Sequence, residues 1–254
     1  MNSFFKLSLI VIVLFGFSAC EESGVTKTSK ELLETPIDIE HLDRNETAKI
    51  EQQIKPKKKK RLNPKKEKFK EIMVPIVTEV YTQLEKKYQR LKLDVQNNRN
   101  KEEIALLKKE YKAKSDHLLL QAIKPHPISI VLAQSAIESA WLGSRFAKDA
   151  NNIFGVWSFN KDEPRIAATG ARGDKIIYLK KYSSYKEAVE DYYKSIGKSW
   201  AYKKLRHLRT VTDNPDILLP YLKSYSEKGD KYIEVLRKLI KYNEFNKYNI
   251  KKSK

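Results

Sequence analysis

The chain has 254 residues, which suits one medium-sized domain with a tail rather than two full cores. Hydrophobic residues make up 41% of it, enough for a packed interior, and a total of only 8 glycines argues against an all-β protein built on many tight turns. Lys and Arg number 51 against 32 Asp and Glu, and the formal charge of +19 points to a polyanionic partner: nucleic acid, an acidic membrane face or an acidic cell-wall polymer.

Residues 1–19 read as a signal peptide. Lys6 precedes an apolar run from Leu7 to Phe15, too short to span a bilayer, which needs about 20 apolar residues. Ser18-Ala19 then lead into Cys20, the only cysteine, and the segment resembles a bacterial lipoprotein signal, in which that cysteine carries the lipid. The expectation is an exported protein, lipid-anchored through Cys20 to a membrane of the cell envelope and facing the periplasm, with no internal disulfide. Residues 20–66 read as a disordered basic tether, ending in Lys55-Pro56-Lys57-Lys58-Lys59-Lys60-Arg61 and Lys65-Lys66. Near an anionic surface each basic residue contributes roughly 1 kcal/mol of attraction.

The folded domain is expected over 67–246, with a basic tail at 247–254. Ile72, Met73, Ile76, Val77, Val80, Leu84, Tyr88 and Leu91 have helical spacing, with Pro75 placed near the start. Gln96 to Asn100 break the pattern. A second helix carries Ile104, Leu107, Tyr111, Leu118, Leu119 and Ile123, and stops at Pro125. A third opens after Pro127 and runs to Trp141, ended by Gly143. It is apolar nearly all round, so it should be buried. Glu138 is its one ionisable residue, and a buried carboxylate must be paired, face a cleft or be protonated. Val131, Gln134, Ser135, Glu138 and Trp141 share a stripe that can wall a cleft. These patterns alone leave a structural and a catalytic Glu138 equally open.

Beyond it, Gly155 to Phe159 reads as a strand carrying Trp157 and Phe159, whose aromatic faces suit sugar stacking or core packing. Arg165 to Tyr182 reads as a hairpin, with Gly170 and Gly173 at its turn. Helices follow over Tyr185–Trp200, Ile217–Tyr225 and Tyr232–Tyr242. His41, His117, His126 and His207 lack metal-ligand spacing, so no metal and no cofactor are expected.

Ala133-Gln134-Ser135-Ala136-Ile137-Glu138-Ser139-Ala140-Trp141, followed by Asn151-Asn152-Ile153-Phe154-Gly155, resembles the bacterial glucosaminidase family, and within it the Bax-like branch. The resemblance runs from about Phe69 to Asn243. It implies a mainly α, lysozyme-like (α+β) fold, a helical domain with a small β-hairpin lobe flanking the catalytic cleft. The implied activity is an endo-β-N-acetylglucosaminidase, a peptidoglycan hydrolase cutting the β-1,4 bond after N-acetylglucosamine with Glu138 as the single general acid. Tyr225, Asn151, Trp157 and Gln134 are the expected substrate-binding residues, Tyr225 because Tyr225-Ser226 matches the family's tyrosine motif near the glutamate. Asn152 and Phe154 are expected to support the loop. Many relatives carry a second carboxylate on the hairpin lobe. Here Ala167 and Ala168 stand in the first strand, and Asp162, Glu163 and Asp174 are the nearby substitutes, which leaves inversion or retention undecided. The expected partners are peptidoglycan strands and a membrane, not nucleic acid, and the protein is expected to be a monomer. Two other readings stand beside this one: a lytic transglycosylase on the same fold, and a non-catalytic glycan-binding lipoprotein of the envelope.

Overall fold

A computed structural model of the chain describes residues 63–172 and 175–250. The expected signal peptide, Cys20 and the tether up to residue 62 lie outside the described residues, as does Asp174. The described part is mainly helical, with one small antiparallel sheet of two strands.

Helix α1 (Pro64–Gln96) starts earlier than its apolar period suggests. Asn63 caps it by accepting from the Lys65 N–H at 3.1 Å, and Pro64 fills the first position, where a missing N–H costs nothing. Lys65 and Lys66 therefore belong to the folded domain rather than to the tether, and Pro75 lies inside the helix rather than near its start. The expected second helix is two, α2 (Lys101–Tyr111) and α3 (Asp116–Ile123). Lys112 turns left-handed (φ 54°) and Ser115 caps the new start, accepting from the Leu118 N–H at 3.2 Å. Tyr88, Leu91, Ile104, Leu107, Tyr111, Leu119, Ala122 and Ile123 close a satellite core among α1, α2 and α3.

Helix α4 (Ile128–Glu138) runs through the main core, packed against α1, α9 (Asp230–Tyr242) and the 3₁₀ turn Phe245–Tyr248. Its almost unbroken apolar sequence is what lets it be buried on every side. It ends at Glu138 rather than Trp141. Ala140, Trp141 and Leu142 follow with φ of 50°, 60° and 60°. Such a left-handed run is costly for residues with a Cβ. Ser139 holds it, its hydroxyl donating to the Ser135 carbonyl at 2.5 Å and accepting from the Leu142 N–H at 2.8 Å.

Short helix α5 (Arg145–Ala150) leads to the hairpin β1 (Arg165–Arg172) and β2 (Lys175–Lys180), which pair antiparallel with a register irregularity between Ala167 and Ala171. The expected strand at Gly155–Phe159 forms only a bridge, Trp157 opposite Leu179, flanked by Ser158 N–H to Tyr178 O (2.8 Å) and Lys180 N–H to Val156 O (3.0 Å). Helix α6 (Tyr185–Lys198), a 3₁₀ turn at Trp200–Tyr202, α7 (Lys203–Leu208), α8 (Pro215–Leu218) and a 3₁₀ segment (Leu219–Tyr225) lead to α9. The tail expected from 247 is folded through its first residues, because the Asn249 side chain accepts from the Ser129 N–H at 2.8 Å.

Candidate active site

Glu138 is the last residue of α4 and retains 8% of its surface open. Its Oε1 accepts a hydrogen bond from the Tyr232 hydroxyl of α9 at 2.8 Å. Among the described residues the carboxyl has no other hydrogen-bond partner and no ion pair. Burial pushes it up to about 7, while the Tyr232 bond and the charge of Lys228 pull the other way. Its place at the C-terminal end of a helix acts in the same sense as burial, since carbonyl dipoles point at it. The group is thus an acid that holds its proton close to neutrality.

A wall of tyrosines surrounds it. Tyr225 stacks on Tyr232 (ring centroids 5.9 Å apart, planes 6° apart), and Tyr192 stacks on Phe154 at 4.3 Å. Burial, with Glu138 among the other causes, holds Tyr192, Tyr202, Tyr225 and Tyr232 above the usual phenol range, so all stay neutral.

The expected substrate-binding residues divide. Tyr225 is buried beside the carboxyl, but its hydroxyl donates to the Phe154 carbonyl at 3.4 Å, and Tyr232 is the residue bonded to Glu138. Gln134 is fully buried and corrected from a substrate-facing role: it accepts from Tyr192 at 2.5 Å and donates to Tyr232 at 3.1 Å. Of the stripe expected to wall a cleft, Val131, Gln134 and Ser135 are packed inside with no exposure, Glu138 keeps a small opening, and Trp141 is half-buried, edge-on against Phe69 at 5.1 Å. Asn151 ends α5 in the left-handed conformation (φ 50°) and donates to the Tyr182 carbonyl at 2.9 Å. Asn152 supports the loop as expected, donating to Val156 O (2.9 Å) and Lys180 O (2.8 Å) and accepting from the Val156 N–H (2.9 Å). Trp157 is half-buried beside Phe159, which is 69% exposed. Of the proposed second carboxylates, Asp162 is exposed and Glu163 lies 3.7 Å from the Lys180 ammonium. A cavity lined by Pro127, Ile128, Asp213 and Asn249 sits at the opposite end of α4, away from Glu138.

Tyr232 opens the apolar face of α9 with Ile233, Leu236 and Ile240, and a tyrosine on such a face needs a partner for its hydroxyl; the spacing does not say that the partner is Glu138.

A neutral carboxylic acid, recessed at a helix end and bonded through one oxygen, is the kind of group that donates a proton to a leaving oxygen. Residues 118–245 match the model of the glucosaminidase family, described as mannosyl-glycoprotein endo-beta-N-acetylglucosaminidase. The chain belongs to this family of glycoside hydrolases. It is 31% identical over 120 residues to protein bax of Escherichia coli (strain K12), a match covering 45% of this chain and 42% of that protein. Among solved structures it is similar to the catalytic domain of the autolysin Auto from Listeria monocytogenes (15% identity, TM-score 0.49, 84% of this chain and 99% of that one). It is also similar to a peptidoglycan hydrolase from Sphingomonas sp. A1 (22% identity, TM-score 0.39, 50% and 86%).

Proposed function

We propose that the protein hydrolyses the glycan strands of peptidoglycan at the β-1,4 bond after N-acetylglucosamine, with Glu138 as general acid. The observation that carries this reading is the state of Glu138: buried to 8% exposure, titrating at about 7, and bonded through Oε1 alone, inside the segment that matches the family. A protonated carboxyl transfers its proton to the glycosidic oxygen as the bond to the anomeric carbon breaks. The carboxylate left behind is stabilised by the Tyr232 hydroxyl and by the positive field of Lys228. Water then adds to the anomeric carbon, giving its surplus proton back to the Glu138 carboxylate and leaving a reducing end.

One observation favours a second reading, a lytic transglycosylase. Among the described residues the groups acting on Glu138 are Tyr232 and Lys228, and no second carboxylate is among them. A transglycosylase needs none, because a hydroxyl of the substrate closes the ring.

Mass spectrometry of digested peptidoglycan separates the readings. Reducing N-acetylglucosamine ends support hydrolysis, anhydromuramic ends support the transglycosylase, and no products from wild-type protein leave a glycan-binding role. Envelope attachment through Cys20 is proposed with this function, drawn from the sequence. Metabolic labelling with a fatty acid tests it: wild type takes up label and Cys20→Ser does not.

A further inference from the structure

Arg209, which follows α7, is 1% exposed, and among the described residues no carboxylate pairs with it. Its guanidinium donates to Gln121 O (3.0 Å) and Ala122 O (2.8 Å), and lies 3.2 Å from His126 Nδ1. Burial draws it down to about 10, so it remains a cation. Burying a cation without a counter-ion is expensive. An arginine only donates, so His126 Nδ1 must accept, and the ring is neutral with its hydrogen on Nε2. Burial and the Arg209 charge hold His126 well below the usual histidine range, which agrees.

The remaining directions follow one from another. His126 Nε2–H donates to the Tyr192 oxygen at 2.8 Å. Tyr192 donates to Gln134 Oε1 at 2.5 Å, Gln134 Nε2 donates to the Tyr232 oxygen at 3.1 Å, and Tyr232 donates to Glu138 Oε1 at 2.8 Å. The chain cannot reverse, because a reversed chain puts a hydrogen on His126 Nδ1, facing the guanidinium. The Gln134 amide passes no proton without changing tautomer, so the chain aligns dipoles and does not conduct.

We propose that Arg209 is a positioning residue, acting through His126, Tyr192, Gln134 and Tyr232 to confine the acid proton of Glu138 to Oε2. Because Oε1 is always the acceptor, the proton rests on the one oxygen that no described group bonds, and that oxygen serves the leaving group. The same aligned donors stabilise the anion after transfer, and neighbouring bonds polarise one another, by about 10–30% per bond. This rests on the reading of Glu138 as the acid. The groups facing the carboxyl are Tyr192, Tyr202, Tyr225, Tyr232 and Lys228, and those facing His126 are Arg209, Tyr192 and Tyr193.

Two measurements on the full chain test the proposal without turnover. Nitrogen-15 NMR of wild-type protein should show His126 as the neutral Nε2–H tautomer throughout pH 5–8, as the buried Arg209 contact demands. An imidazolium or an Nδ1–H tautomer overturns the proposal. Carbon-13 NMR of labelled glutamate should show the Glu138 titration rising by about half a unit or more in Tyr192→Phe, a variant that keeps the ring stacked on Phe154. An unmoved titration in folded variant protein overturns it as well. Arg209→Met is the direct variant but strips donors from two carbonyls, so Tyr192→Phe and the wild-type tautomer decide the matter if it does not fold. Should Glu138→Gln keep full hydrolytic activity, the acid assignment fails while both NMR results can still hold.

Discussion

At the scale of single residues, the acid role proposed for Glu138 ties activity to stability. Its carboxyl titrates near 4.5 in the unfolded chain and at about 7 when folded, so the folded state binds the extra proton between those values. The stability this proton contributes is fully present below pH 4.5 and is lost as pH rises through 7, an effect of about 3 kcal/mol. Glu138→Gln cannot ionise. It should unfold at higher denaturant concentration than wild type at pH 8 and at about the same concentration at pH 5, while peptidoglycan cleavage falls by about 10²–10⁴-fold. Tyr232→Phe has a different signature. Removing the donor from Oε1 disfavours the anion, so the alkaline limb of the pH–rate profile should move to higher pH, with lower rate at the optimum.

At the scale of elements, Asn152 braces the loop after α5 with two hydrogen bonds exchanged with Val156 and ties it to β2 with a third, to the Lys180 carbonyl. Asn152→Ala should lower unfolding free energy by about 2–4 kcal/mol in denaturant titration and leave the pH optimum in place, since it does not touch Glu138. Elements were the most legible part of this sequence. The apolar run of α4 announced a buried helix and its one awkward carboxyl, and Gly170 and Gly173 announced the hairpin. What stayed hidden is tertiary or rests on capping. Tyr232 reaches Glu138 across 94 positions, and no periodic pattern encodes a partner at that distance. Tyr225, preferred through the family motif, stacks on that partner instead. The start of α1 is illegible because Lys65-Lys66 read as part of a charge run, while the Asn63-Pro64 cap that makes them helical is a two-residue signal. The end of α4 is illegible because left-handed Ala140, Trp141 and Leu142 are held by the Ser139 hydroxyl against their own preference.

At the scale of the whole molecule, a charge of +19 predicts attraction to anionic wall polymer, and sedimentation binding should weaken as salt rises from 0.05 to 0.5 M, about where screening lengths fall below the spacing of surface charges. An apolar mode of binding has no such dependence. Helices α3 and α6 meet at Gly197, where a methyl group would stand 2.7 Å from the Ala122 carbonyl oxygen. That oxygen is one of the two backbone acceptors of Arg209. The absence of a single carbon on one helix thus sets how near the other can come, and with it the seat of a cation far along the chain from Glu138. Alanine at this position should loosen the whole arrangement from behind: a lower melting temperature, and a shifted Glu138 titration in a protein where every side chain around that carboxyl is intact.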